Sequence, residues 1–410
     1  MRNANPVQRN ERNVGIDILR GFALLGILIM NLPQFFNPSF VYGVYGVPTG
    51  SEGADRVGDI LVKLFVEGKF FTIFSFLFGL GFYIFMSRAE AKSPRPNRLY
   101  LRRITALLLI GALHFVFGWT GDILHLYGIG GLLLLLFYRR RNKTILVWIV
   151  SLVVVWFGMF GLSFIGTPEQ AEKSLAEGLQ LLPRMNAILE NLTYPQWIDY
   201  QLRWVAPALA AFEPIFLLAI LAMFLVGLYA GKRNWFSNLA ANRKTIRRVW
   251  LVSLTVNAPI VAVLALLLTR SVDLGFRHEA VVTVLVQFSG ITMSLLYILT
   301  FLLLLARPKP ISWLRPIGYV GQMALTNYLG QTVVCIVLGT VFHLHGVGSV
   351  QAIVLSLVIY VCQVALSALW LSRFRFGPLE WLWRTVTYLA PQPLRLREKK
   401  TKELDAVADA

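Results

Sequence analysis

Apolar residues run along this chain in long blocks, without the one-face or alternating patterns of a soluble domain. Ten blocks approach the roughly 20 residues a helix needs to cross a bilayer core: Ile16–Phe36, Lys69–Met86, Ile104–Trp119, Ile123–Tyr138, Ile145–Ile165, Pro207–Gly231, Val249–Thr269, Val281–Ala306, Gly318–Phe342 and Ser349–Leu371. The third and fourth are joined only by Thr120, Gly121 and Asp122, and this is turn chemistry, so the pair reads as a tight helical hairpin. The pattern predicts an all-α polytopic membrane protein of about ten transmembrane helices. Residues 1–390 form one transmembrane helical domain, with an N-terminal part at 12–165, an external loop at 166–206 and a C-terminal helical part at 207–388. The polar tail, 391–410, is expected to be disordered.

Within the long loop, Glu169 to Leu189 mixes Glu, Lys and Leu at helical spacing. This predicts an amphipathic helix on the outer surface, with Trp197 and Trp204 at headgroup level.

Composition narrows the class. Charged residues are 15% of the chain, against about 25% in soluble domains, and the mean hydropathy is +0.63. A soluble enzyme, a disordered regulator and a secreted disulfide scaffold are excluded. Cys335 and Cys362 both lie in apolar runs, which suggests neither a disulfide framework nor a metal site. With the N-terminus placed inside, 30 of the 39 Lys and Arg residues fall on cytoplasmic segments and six on the opposite side. That asymmetry places both termini in the cytoplasm, the protein crossing the cytoplasmic membrane in multiple passes. The net charge of +18 is then a topology signal and a match to anionic phospholipid, and it gives no reason to expect nucleic acid. The first block is too long, and starts too late, for a cleaved signal peptide and is expected to remain as an anchor.

Ionisable groups at membrane depth are costly, so each needs a reason. His114 lies five residues before Trp119, about 7.5 Å into the layer. The hairpin turn brings Asp122 and His125 beside it. Glu67, Lys69, Asn31 and Gln287 share that depth, which predicts an outward-facing polar pocket. Each has a plainer reading: His114 as a hydrogen-bonded packing residue, Asp122 as a helix N-cap, His125 as an interfacial residue, Glu67 as the partner of Lys63. On the cytoplasmic side Asp17 and Arg20, three apart, make an interfacial ion pair, or Arg20 joins Arg102 and Arg103 in meeting an anionic substrate. Asn327 and Gln331, four apart, form an amide pair near mid-membrane. The glycines of Phe78–Gly81 and Gly128–Gly131 sit in apolar helices and read as packing positions, not phosphate loops.

Three stretches resemble the bacterial YeiB-like membrane proteins, the family designated domain of unknown function 418. The first runs from Ile16-Asp17-Ile18-Leu19-Arg20-Gly21 to Asn31. The second runs from Phe74-Ser75-Phe76-Leu77-Phe78-Gly79 to His114 and Gly121-Asp122-Ile123-Leu124. The third joins Met323–Gln331 with Phe374–Arg384. Residues 12 to 388 share this likeness. The first stretch is also similar to the start of heparan-alpha-glucosaminide N-acetyltransferase, and both groups are considered members of one transmembrane acyltransferase superfamily. The resemblance implies that acetyl-CoA or a related acyl-CoA is used from the cytosol to modify an extracytoplasmic sugar or lipid. Asn31 matches the family's Asn after Asp-x-x-Arg-Gly. The acetyltransferase has a catalytic His shortly after that Asn, and Leu32 to Tyr45 contains none.

The expectation that follows is an acyltransferase-like protein. His114 is the general base, Asp122 fixes its tautomer, and Asn31 donates to the developing oxyanion. Arg20, Arg102 and Arg103 hold the donor phosphates, and His125, Glu67, Gln287, Asn327 and Gln331 line the substrate site. The rival is a transporter or lipid-handling carrier without covalent chemistry, with Pro207, Pro214 and Pro259 marking broken helices. A structural assembly role, including homo-oligomers, is a third reading.

Overall fold

The computed structural model describes residues 14–235, 239–307 and 312–396. Arg2, Arg9, Arg12, Lys309 and residues 397–410 of the tail lie outside the described residues. All ten apolar blocks lie on helices. In chain order these begin with α1 (Val14–Asn31), the short α2 (Pro33–Phe36) and α3 (Ser39–Tyr45), then α4 (Gly53–Phe65) and α5 (Phe70–Lys92). The hairpin is α6 (Pro96–Phe117) and α7 (Leu124–Leu134), followed by α8 (Asn142–Gly161). The segment between α8 and the C-terminal part holds α9 (Pro168–Glu190), α10 (Tyr194–Tyr200), a π-helical turn Gln201–Val205 and α11 (Ala206–Ala210). The C-terminal part is α12 (Glu213–Lys232), α13 (Leu239–Leu268), α14 (His278–Leu305), α15 (Arg315–Gln322), α16 (Ala324–Thr340), α17 (Ser349–Arg373) and α18 (Pro378–Tyr388).

Among the described residues eight helical stretches are long and apolar enough to cross a membrane, and the pair α15 and α16 makes a ninth, bent by 82°. The fourth block falls short. Eleven residues of α7 rise only about 16 Å, half a bilayer core, and turns follow from Leu135. Three glycines of α7 let it pack closely against α6 and α12, so it is held by protein more than by lipid. Outward-facing Val147, Val150, Val154, Val361, Leu366 and Leu369 on α8 and α17 are all exposed, as a bilayer partner requires.

The centre is built by close backbone approach. Gly79 of α5 faces the Phe224 carbonyl of α12, and Gly227 of α12 faces the Phe76 carbonyl of α5, so neither has room for a methyl group. Phe78 stacks on Phe224 with centroids 4.4 Å apart and fills the flank of this seam. Where no hydrophobic force draws helices together, such packing is what holds them.

Of the three prolines expected to mark breaks, Pro207 opens α11 directly after the π-helical turn, and the other two do not interrupt a helix. Pro214 sits in the first turn of α12, where its missing N–H costs nothing, and α13 continues through Pro259. The marked break lies elsewhere, at Met323. Here Asn327 Nδ2 donates to the Val320 carbonyl (3.1 Å) and Ser367 Oγ (2.9 Å), and Gln331 Nε2 donates to Gln363 Oε1 (2.9 Å). These amides stitch α15, α16 and α17 across the bend.

Two further expectations are corrected. Trp197 does not face lipid: it is buried and donates Nε1 to the Gly118 carbonyl at 2.8 Å. The start of the tail is ordered. Arg375 N donates to Leu394 O at 2.8 Å, Leu396 N to Arg373 O at 3.1 Å, and Trp381 Nε1 to Gln392 O at 2.7 Å, so backbone pairing carries the chain to residue 396. The amphipathic helix at 169–189 is α9, closed by a Thr167–Gln170 capping box.

Candidate functional site

The turn between α6 and α7 carries the site. The last carbonyls of a helix have no partner within it. Here α10 supplies them: Tyr194 Oη donates to Phe117 O (2.7 Å) and Trp197 Nε1 to Gly118 O (2.8 Å). Gln201 Oε1, fully buried in the π turn, accepts from Thr120 N (3.3 Å) and Thr120 Oγ1 (2.7 Å). Phe35 stacks on Trp197 with centroids 5.5 Å apart and packs against Trp119 at 5.1 Å. A six-residue turn is thus fixed from outside by side chains about 80 positions away.

Fixing the turn fixes Asp122. Its Oδ2 accepts from the backbone N of His125 (3.0 Å), a bond that caps the first turn of α7 from the residue before its N-cap, Ile123, and from His125 Nδ1 (3.2 Å). Its Oδ1 accepts from His114 Nδ1 (2.8 Å) and from Tyr328 Oη (3.3 Å). The cap and the dyad are therefore the same carboxylate, and four donors fill its lone pairs. His114 is buried, and its Nε2 meets Thr332 Oγ1 at 2.9 Å. Both its ring nitrogens are engaged.

Two cavities approach this cluster from opposite ends of α1. One, of about 190 Å³, is lined by Arg20, Tyr100, Arg103, Glu380 and Arg384. The other, of about 290 Å³, is lined by Asn31, Glu67, Asp122, Glu213 and Gln287. Both are many times the space one water needs. Ile27, Ile123 and Tyr328 line both, so these three residues are the partition between them. A wider vestibule of about 900 Å³ continues the Asn31 cavity outward, sharing Met30, Gln34, Trp119 and Gln287 with it.

The Arg20 cavity is basic and built by α18. Trp383 stacks on Arg103 (3.6 Å from guanidinium carbon to ring centre) and donates Nε1 to the Arg103 carbonyl at 2.7 Å. Glu380 caps α16: its carboxylate accepts from Leu325 N (2.7 Å), Thr326 N (3.1 Å) and Thr326 Oγ1 (2.6 Å). Burial raises the pKa of Glu380, and the bonds from Thr326 and Leu325 oppose the rise. Arg20 lies 3.6 Å from Asp17, so the ion pair and the cavity lining are both real.

The structure thus brings together Asn31, Glu67, Asp122 and Gln287 on one cavity, with His114 and His125 behind Asp122. Arg20 and Arg103 meet on the other cavity, but Arg102 lines neither, and Arg384 stands with them instead. Asn327 and Gln331 also line neither, being consumed in the α15–α17 stitching. Tyr328, Thr332, Glu213, Glu380, Trp383 and Gln201 were not singled out by the sequence. Tyr328, Glu380 and Trp383 lie inside the two C-terminal motifs, which is the signal that could have found them.

The sequence pattern described as "Protein of unknown function (DUF418)" matches residues 230–390. "Uncharacterized protein YxaH" of Bacillus subtilis (strain 168) is 32% identical, over 98% of this chain and 100% of that protein. The "Uncharacterized 39.9 kDa protein in amylase 3'region" of Bacillus acidopullulyticus is 31% identical, over 96% of this chain and 99% of that protein. "Uncharacterized protein YeiB" of Escherichia coli (strain K12) is 27% identical, over 93% and 98% respectively. No solved structure matches the chain.

Proposed function

The chain belongs to the DUF418 family of YeiB-like proteins, multi-helix membrane proteins whose family description names no reaction, and we propose that it is a membrane acyltransferase working across the partition between its two cavities. The observation that carries this reading is the meeting of a basic cavity and an acid-lined cavity at Tyr328, beside the Asp122–His114 pair. By the Lys and Arg asymmetry of the loops, the Arg20 end faces the cytosol. Arg20, Arg103 and Arg384 suit the phosphates of an acyl-CoA, whose contribution is an activated thioester. The acceptor, a sugar or lipid hydroxyl or amine, comes through the vestibule past Gln34 and Asn31.

At the partition the chain supplies proton handling. The Tyr328–Asp122 bond is the longest of the four on that carboxylate. An acceptor O–H or N–H takes its place on Oδ1, and the Asp122–histidine cluster receives the proton as the acceptor attacks. The freed Tyr328 hydroxyl then donates to the oxygen that gains charge. As the new C–O or C–N bond forms, the C–S bond of the thioester breaks, and the proton taken by the cluster passes to the departing CoA thiolate, which leaves as free CoA. Since Nε2 of His114 is held by Thr332, His114 serves by fixing Asp122, which reverses the roles expected from sequence. Asn31 lines the acceptor side and orients the incoming group.

The test uses the purified protein in lipid nanodiscs, with acyl-CoA binding measured by calorimetry and acyl release by thiol assay. Asp122→Asn and Tyr328→Phe should bind the donor normally and lose turnover by about 100-fold or more. Turnover equal to wild type in both variants would rule the reading out. A carrier is the second reading, favoured by the 82° break between α15 and α16. It requires binding with no thiol release and passage of an intact solute.

A further inference from the structure

The hydrogen-bonded chain at Asp122 does not stop at His125. Nε2 of His125 lies 3.5 Å from Oε1 of Glu213, the first residue of α12. The Nδ1 proton of that ring points to Asp122 Oδ2. A neutral ring would therefore turn its Nε2 lone pair on a carboxylate oxygen, and two acceptors face each other stably only with a proton between them. Nε2 of His125 is closed off from solvent and has no hydrogen-bond partner among the described residues, so Glu213 is the group it addresses. At 3.5 Å a small side-chain shift, or one water, completes the bond.

Glu213 has the freedom for that shift. Its side chain is 36% exposed and lines the Asn31 cavity, whereas the Asp122 side chain is sealed. The described lining of that cavity includes Glu67, Asp122 and Glu213 and no Lys or Arg. A cleft of one sign between low-dielectric walls concentrates the opposite charge, protons included. The groups facing the route are His114 from α6, Tyr328 and Thr332 from α16, the Phe115 ring 5.0 Å from His125, and Glu67 across the cavity. His114 and Thr332 line neither cavity and form a blind end. Tyr328 touches the Arg20 cavity, but a phenol exchanges protons at neutral pH far less readily than an imidazole.

We propose that Glu213 is the port of a proton path, Glu213–His125–Asp122–His114, through which the buried cluster exchanges protons with the Asn31 cavity. Each link takes one proton and passes one on, so the path carries protons without consuming any reactant. It holds whether the partition performs acyl transfer or gates a solute.

The experiment is independent of any activity. Full-length protein labelled with 15N-histidine in lipid nanodiscs gives ring N–H signals for His114 and His125, and their exchange with water is read by saturation transfer. Glu213→Gln should slow both by about tenfold or more, Glu213→Asp should fall between, and Glu190→Gln, altering a vestibule acid off the path, should match wild type. Exchange at the wild-type rate in Glu213→Gln overturns the proposal, and so does equal slowing by Glu190→Gln. If exchange slows as expected and no acyl transfer is found in wild type, the path stands and the acyltransferase reading falls.

Discussion

Trp383 grips Arg103 twice, stacking on the Arg103 guanidinium at 3.6 Å and donating Nε1 to the Arg103 backbone carbonyl at 2.7 Å. The two residues are 280 positions apart. The stack and the bond together hold a cation in place at the wall of the Arg20 cavity. A cation–π contact of about 1 kcal/mol and a hydrogen bond of about 1 kcal/mol are lost in Trp383→Ala. Donor affinity measured by calorimetry should weaken by about tenfold or more, and Arg103→Ala should abolish what remains. Unchanged affinity in Trp383→Ala separates this stack from ligand binding.

The α5–α12 seam makes a stability prediction. A methyl group on Gly79 meets the Phe224 carbonyl, which is backbone and cannot swing aside. Gly79→Ala should destabilise the protein by about 1–3 kcal/mol, visible as a lower melting temperature in detergent. Gly158→Ala, at a glycine with open space around it, should melt with the wild type.

The amides of α16 separate stitching from binding. Asn327→Ala removes bonds to Val320 and Ser367 and should cost about 0.5–1.5 kcal/mol of thermal stability. Donor affinity should not change, because Asn327 lines neither cavity. A loss of affinity with unaltered melting would return this residue to the substrate site.

Glu380 gives a pH dependence. Burial raises its pKa above that of a free carboxylate, so the folded state favours the neutral acid. The stabilisation from that proton is complete below the unfolded value and is lost as pH rises through the folded one. Wild type should therefore melt at a lower temperature on the alkaline side of that step. Glu380→Gln, which cannot ionise, should lack the step in thermal scans across pH. A step of equal size in both proteins assigns it to another group.

Much of this was legible in the sequence, and the reason is local. Hydropathy over some 20 residues depends on neighbours in the chain, and so does a short turn that sets Asp122 beside His114. The helices and the dyad followed from those. What was not legible comes from afar. Tyr328 reaches Asp122 across 206 positions and Thr332 reaches His114 across 218, and no periodicity brings them there. Trp197 illustrates the opposite error. A tryptophan in an external segment fits the membrane interface, yet its N–H found an unpaired helix carbonyl and the ring was buried over Phe35. For α7, apolar character was read correctly and helix length was not, because packing glycines and following turns replace the span that composition alone suggests.

Acyl transfer across the partition requires two substrates to meet from opposite faces at Tyr328. The direct measurement supplies membrane-impermeant radiolabelled acetyl-CoA to one face only of sealed, oriented vesicles carrying acceptor on the other. Label should appear on acceptor at the Asn31 face, with free CoA released at the Arg20 face, and both should vanish in Tyr328→Phe. Label that stays with the donor's side, or crosses as intact acetyl-CoA, contradicts it.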